Sequence, residues 1–75
     1  MSVMNSIDLV FQEEFPDQED HDSLFHQFYE WLNDDDKNMM FMSSHDIGFY
    51  YDLCNDERVT IEYVCRFWSQ HFAKK

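Results

Sequence analysis

One glycine and one proline in 75 residues leave this chain with few of the residues that hairpin turns and sharp bends usually require. Bases are scarce too: five lysines and arginines stand against 16 acids, for a formal net charge of −11. That balance excludes direct binding of nucleic acid, which needs a positive footprint to meet phosphates. No apolar run approaches the roughly 18 residues of a membrane span, and no basic stretch leads into an apolar one at the start. The expectation is a soluble, cytoplasmic protein with no membrane partner. Cys54 and Cys65 fall within apolar patterns and show no disulfide-scaffold or CxxC spacing, so both are expected as buried, reduced thiols.

What the chain does have is aromatic mass. A single domain over residues 1–75 buries only about 60% of its unfolded surface, so its core must be dense. The 14 aromatic side chains supply that density, each removing roughly 150–250 Å² from water.

With so few breaks, the pattern predicts an all-α fold, a compact three- or four-helix bundle. Ser6 caps a first helix carrying Ile7, Val10 and Phe11, which ends before Pro16. Asp20 or Asp22 caps a second, with Leu24, Phe25, Phe28, Trp31 and Leu32 on one stripe. "NDDDKN" is a loop. A third helix starts at Ser43 or Ser44 and carries Ile47, Tyr50, Tyr51 and Cys54. Thr60 caps a fourth, whose period runs through Ile61, Val64, Cys65, Trp68 and Phe72 to Lys74 and Lys75. An α+β alternative exists. "IGFYYDLC" and "VTIEYVC" also alternate at period two and flank "NDER", as the strands of a C-terminal hairpin around residues 47–65 would.

No motif names an enzyme, and no cofactor is implied. His45, Cys54, Cys65 and His71 are of the types that bind zinc, but ten residues separate the two cysteines, and no metal site is expected. "DDDKNMMFMSSH" starts like a calcium loop and then places Met39 where the turn wants glycine and His45 where a bidentate glutamate belongs. Residues 44–72 could form a helix-turn-helix, yet with so few bases the pair reads as packing.

Two features remain. "EEFPDQEDHD" packs six carboxylates into ten residues, and residues 1–38 carry −10 of the net charge against −1 for residues 39–75. Glu13, Glu14, Asp17, Glu19, Asp20, Asp22, Glu30, Asp34, Asp35 and Asp36 form an acidic face if they share one side. Such a face could occupy the basic groove of a nucleic-acid-binding protein, with carboxylates standing in for phosphates. In kind, this resembles the DNA-mimic inhibitors that phages and mobile elements direct against host nucleases, such as anti-restriction and anti-CRISPR proteins; no family motif carries residues over. The second feature is surplus apolar surface: Phe49, Leu53, Tyr63 and Phe67 fall outside the core stripes and suit a homodimer or a docking adaptor. Met39 to Met42 reads as core filler with some adaptable contact surface.

Overall fold

The computed structural model describes residues 3–18, 20–45 and 48–73, with side chains from Ser6 onward. Helices α1 (Val3–Glu14) and α2 (Asp22–Leu32) come first, followed by strands β1 (Phe41–Ser43), β2 (Phe49–Asp52) and β3 (Glu57–Thr60). Helix α3 (Ile61–Trp68) then runs into a π-helical turn, Ser69–Ala73. The fold is thus a small α+β domain with three helices and a three-stranded antiparallel sheet of order β1-β2-β3, not a helix bundle.

Three of the four expected helices form much as the apolar spacing requires. In α1, Ile7, Val10 and Phe11 are buried, although the helix begins at Val3 and Ser6 lies inside it rather than capping it. In α2, Leu24, Phe28, Trp31 and Leu32 face inward and Phe25 is half-buried; the N-cap is His21, with no side-chain cap, rather than Asp20 or Asp22, though the Asp20 carboxylate accepts the Asp22 backbone N–H at 3.0 Å. Thr60 caps α3 as expected, its hydroxyl accepting the Tyr63 N–H at 3.2 Å. Trp68 joins the three helices, its ring centroid 5.5 Å from that of Phe28 and 6.4 Å from that of Phe11. The stripe does not reach Phe72, because the π turn widens the helix and shifts its phase, and Phe72 emerges at the surface.

The expected third helix is instead a hairpin, as in the alternative reading, although its second strand ends at Thr60 and Ile61 begins α3. Tyr50 pairs with Val59 and Asp52 with Glu57. The physical reason is a turn built without glycine. Asp52, only 3% exposed, accepts the backbone N–H of Cys54 at 2.9 Å and of Asn55 at 3.2 Å, and the Asn55 side-chain amide at 2.8 Å. Asp56 then takes the left-handed conformation at φ 53°, which aspartate tolerates better than most residues. The hydrogen bonds from Asn55, with those from the Cys54 backbone, hold the Asp52 carboxyl below its ordinary range against the opposing effect of burial. The chain's one glycine, Gly48, takes φ 83° before β2, and its carbonyl accepts the Ile61 N–H at 2.9 Å. Ile47, Lys74 and Lys75 lie outside the described residues.

Cross-strand alternation gives the sheet two unlike faces. Phe41, Tyr50, Asp52 and Val59 face the helices, while Met42, Tyr51 and Arg58 form one row on the far side. The body measures 34 × 29 × 18 Å, one sheet and one helix layer thick, so that far face meets solvent.

Candidate functional site

Helix α3 presents its apolar inner side to α1 and α2, while Tyr63, Phe67 and His71, four residues apart, share its outer side. Tyr63 is 45% exposed and Phe67 half-buried. Beneath them lies Phe41 of β1, its ring centroid 6.3 Å from Tyr63 and 5.3 Å from Phe67. His71 sits 4.3 Å from Phe67, and Phe72 lies 6.2 Å from Phe67 and 5.3 Å from Trp31. The rings form one continuous band from α2 across α3 to the sheet. Along it runs a shallow groove of about 330 Å³ whose walls include Arg66 and Gln70.

The four residues expected to form one apolar surface are divided. Tyr63 and Phe67 belong to the α3 band. Phe49 and Leu53 share strand parity with Tyr51 on the far face of the sheet, where the Arg58 guanidinium lies 4.8 Å over the Phe49 ring. Met42, Tyr51 and Leu53 are 56%, 42% and 52% exposed there. Sequence reasoning missed His71 and Phe72 as surface partners of Tyr63 and Phe67. The spacing 63, 67, 71 was a readable signal for His71, whereas the π turn that exposes Phe72 left none.

The acids expected to share one face differ in their surroundings. Glu14 is 8% exposed, and the Arg66 guanidinium donates to it at 2.9 Å and to Glu13 at 2.7 Å. Gln70 donates to Glu14 as well, at 3.1 Å. Hydrogen bonding to Glu13, joined by that to Glu14 and outweighing the opposing effect of burial, raises the Arg66 pKa above its ordinary value. Asp34 accepts the backbone N–H groups of Asp36 and Lys37, and its other oxygen lies 3.9 Å from the Lys37 ammonium. Glu30 lies 3.7 Å from His26. Asp17, Asp20, Asp22, Asp35 and Asp36 are exposed, and Glu19 lies outside the described residues. Glu14 and Asp34 are thus tied into the fold, and nothing among the described residues supports a DNA-mimic, anti-restriction or anti-CRISPR character.

Both cysteines are free thiols. Cys65 is buried as expected, and burial pushes its thiol up to about 12, which removes it from nucleophilic chemistry near neutral pH. Cys54 is exposed instead of buried, because it occupies the hairpin turn rather than a helix face. Among the described residues, no three or more His, Cys, Asp or Glu side chains are grouped to hold a metal ion, and no helix is long and apolar enough to cross a membrane. No family model, no curated protein and no solved structure matches this chain.

Proposed function

We propose that this chain is a non-enzymatic adaptor domain that docks a protein partner through the aromatic band of α3. The observation that carries the reading is the continuity of Tyr63, Phe67, His71 and Phe72 over Phe41, with a groove alongside. Aromatic side chains are enriched at the centres of protein interfaces, where they bury large area at low conformational cost. In so small a domain, rings left at the surface forgo burial that the core could use, so a partner that covers them recovers it. The reading carries a cytoplasmic location, which two unpaired thiols fit.

The test is affinity capture from the source cell with the intact chain and with a Tyr63→Ala/His71→Ala double variant as baits. Both side chains are exposed, so the variant is expected to fold normally. Loss of a captured protein from the variant alone supports the reading. A Leu9→Ala bait, altered at an exposed apolar residue of α1, is expected to behave like the unaltered chain. Equal capture by all three baits contradicts the reading.

A further inference from the structure

The edge of β1 carries a second recognition element, independent of the α3 band. Met40 and Ser44 bond to β2 through Leu53 N–H to Met40 O at 2.8 Å and Ser44 N–H to Phe49 O at 3.2 Å. Antiparallel alternation therefore turns the backbone groups of Met42 toward β2 and those of Phe41 and Ser43 outward, away from the sheet. At Phe41 the outward rung is already filled by a side chain. The Asn38 carboxamide accepts the Phe41 N–H at 3.1 Å and donates to the Phe41 carbonyl at 3.1 Å, the two bonds that a peptide group of a neighbouring strand would make. A further bond from the same amide to the Leu32 carbonyl, at 2.9 Å, anchors Asn38 to the end of α2. One rung further on, Ser43 is exposed, and no side chain among the described residues covers its N–H and C=O in this way.

Beside that rung lies a pocket of about 310 Å³ shared by the sheet edge and the loop after α2. Leu32, Phe41 and Met42 supply the smaller, apolar part of its lining; the larger part is polar and includes Asn33 and Asp35, whose carboxylate has no partner among the described residues. Ser43 has the same strand parity as Phe41 and Tyr50, so a residue paired opposite Ser43 would direct its side chain to the pocket side. The apolar part suits an alkyl stem, and the carboxylate with its polar surroundings suits a cationic, hydrogen-bonding head.

We propose that the edge of β1 is a strand-addition site: an extended segment of a partner protein pairs with Ser43 and sets a lysine or arginine into the adjoining pocket against Asp35. Backbone pairing supplies the affinity and the pocket the selectivity, as in other sheet-edge recognition. Asn38 limits the site by closing the rung at Phe41, which also protects the edge from indiscriminate pairing.

The experiment is an amide NMR titration of the full chain with the capped pentapeptide Val-Thr-Lys-Thr-Val. Its controls are the same peptide N-methylated at the lysine, and a version with glutamate in place of lysine. The expected result is saturable shifts confined to residues 33–38 and 41–44, at about millimolar affinity or tighter. Both control peptides should bind at least about tenfold more weakly. In the protein, Ser43→Pro removes the outward N–H at a position where an edge strand accepts proline, and should abolish the shifts while the rest of the spectrum stays native. Asp35→Asn should weaken lysine-peptide binding by about threefold or more. Equal binding of the N-methylated peptide, or no saturable shift up to about 10 mM, overturns the proposal. Because Tyr63 and His71 lie elsewhere, their variants should bind the peptide normally, so this site and the α3 band fail or stand separately.

Discussion

Between Ser6 and Asn38, apolar side chains other than Leu9 turn wholly or partly inward and several acids are held by nearby donors, whereas between Phe41 and Ala73 a surplus of aromatic side chains is left in contact with solvent. Glu13 and Glu14 converge on Arg66 from the far end of the chain, and Asp20 and Asp34 take up backbone N–H groups. Tyr63, His71, Met42, Tyr51 and Leu53 have no comparable role inside. The difference teaches that density in the sequence is a poor guide to display. Of the crowded acids the architecture buries Glu14 and engages Asp34, leaving Asp17, Asp22, Asp35 and Asp36 at the surface beside the less conspicuous aromatic surplus.

The largest effect should come from the core that both halves share. Phe28→Ala removes a fully buried ring in contact with Trp31 and Trp68 and should cost about 3–5 kcal/mol, enough to unfold a domain this small. Loss of the cooperative urea transition is the readout.

A sharper contrast separates two neighbouring acids. Glu14→Ala leaves Arg66 and Gln70 without their buried acceptor and should cost about 1–3 kcal/mol. Glu13→Ala removes an exposed pair and should cost under about 1 kcal/mol. Equal shifts of the urea midpoint would mean that the node is not organised around burial.

At the hairpin, Asp56→Val forces a β-branched residue into the left-handed region and should lower stability by about 1–2 kcal/mol, while Asp56→Gly should be neutral or stabilising in the same urea assay.

The smallest expected effect is on pH. In Glu62, burial pushes the carboxyl up, but hydrogen bonds from its own backbone N–H and from the Ser6 and Thr60 hydroxyls outweigh it and leave the group below its ordinary range. Asp52 is lowered as well. Groups depressed on folding contribute stability above their unfolded values, near pH 4, and lose it as pH falls through the folded ones. The thermal midpoint should therefore drop on acidification below about pH 4, and Asp52→Asn, which keeps one acceptor oxygen, should shrink the drop.

Much of the helical layer was legible because apolar spacing alone decides it: Ile7, Val10 and Phe11, then Leu24, Phe28, Trp31 and Leu32, then Ile61, Val64, Cys65 and Trp68 all pack as their periods require. The sheet was not, for a specific reason. Its turn depends on Asp52 and Asp56 where glycine was sought, and its edge is held by Asn38, which in sequence is one polar residue of a polar loop. Period-two and period-3.6 patterns overlap over residues 49–54, so only the turn chemistry could separate them. The site was half legible. Tyr63 and Phe67 share a helix face that spacing reveals, but Phe49 and Leu53 joined them only under a helical reading of β2.

The most direct measurement compares dissociation constants for the captured partner across two variants of the chain. Tyr63→Ala/His71→Ala should weaken binding by at least about tenfold, in line with the loss of interface aromatic anchors. Asp17→Asn/Asp22→Asn/Asp36→Asn, altered only at exposed acids, should change it by no more than about threefold at moderate salt. The reverse order, with the acid variant crippled and the aromatic variant unchanged, would contradict the assignment of the α3 band as the docking face.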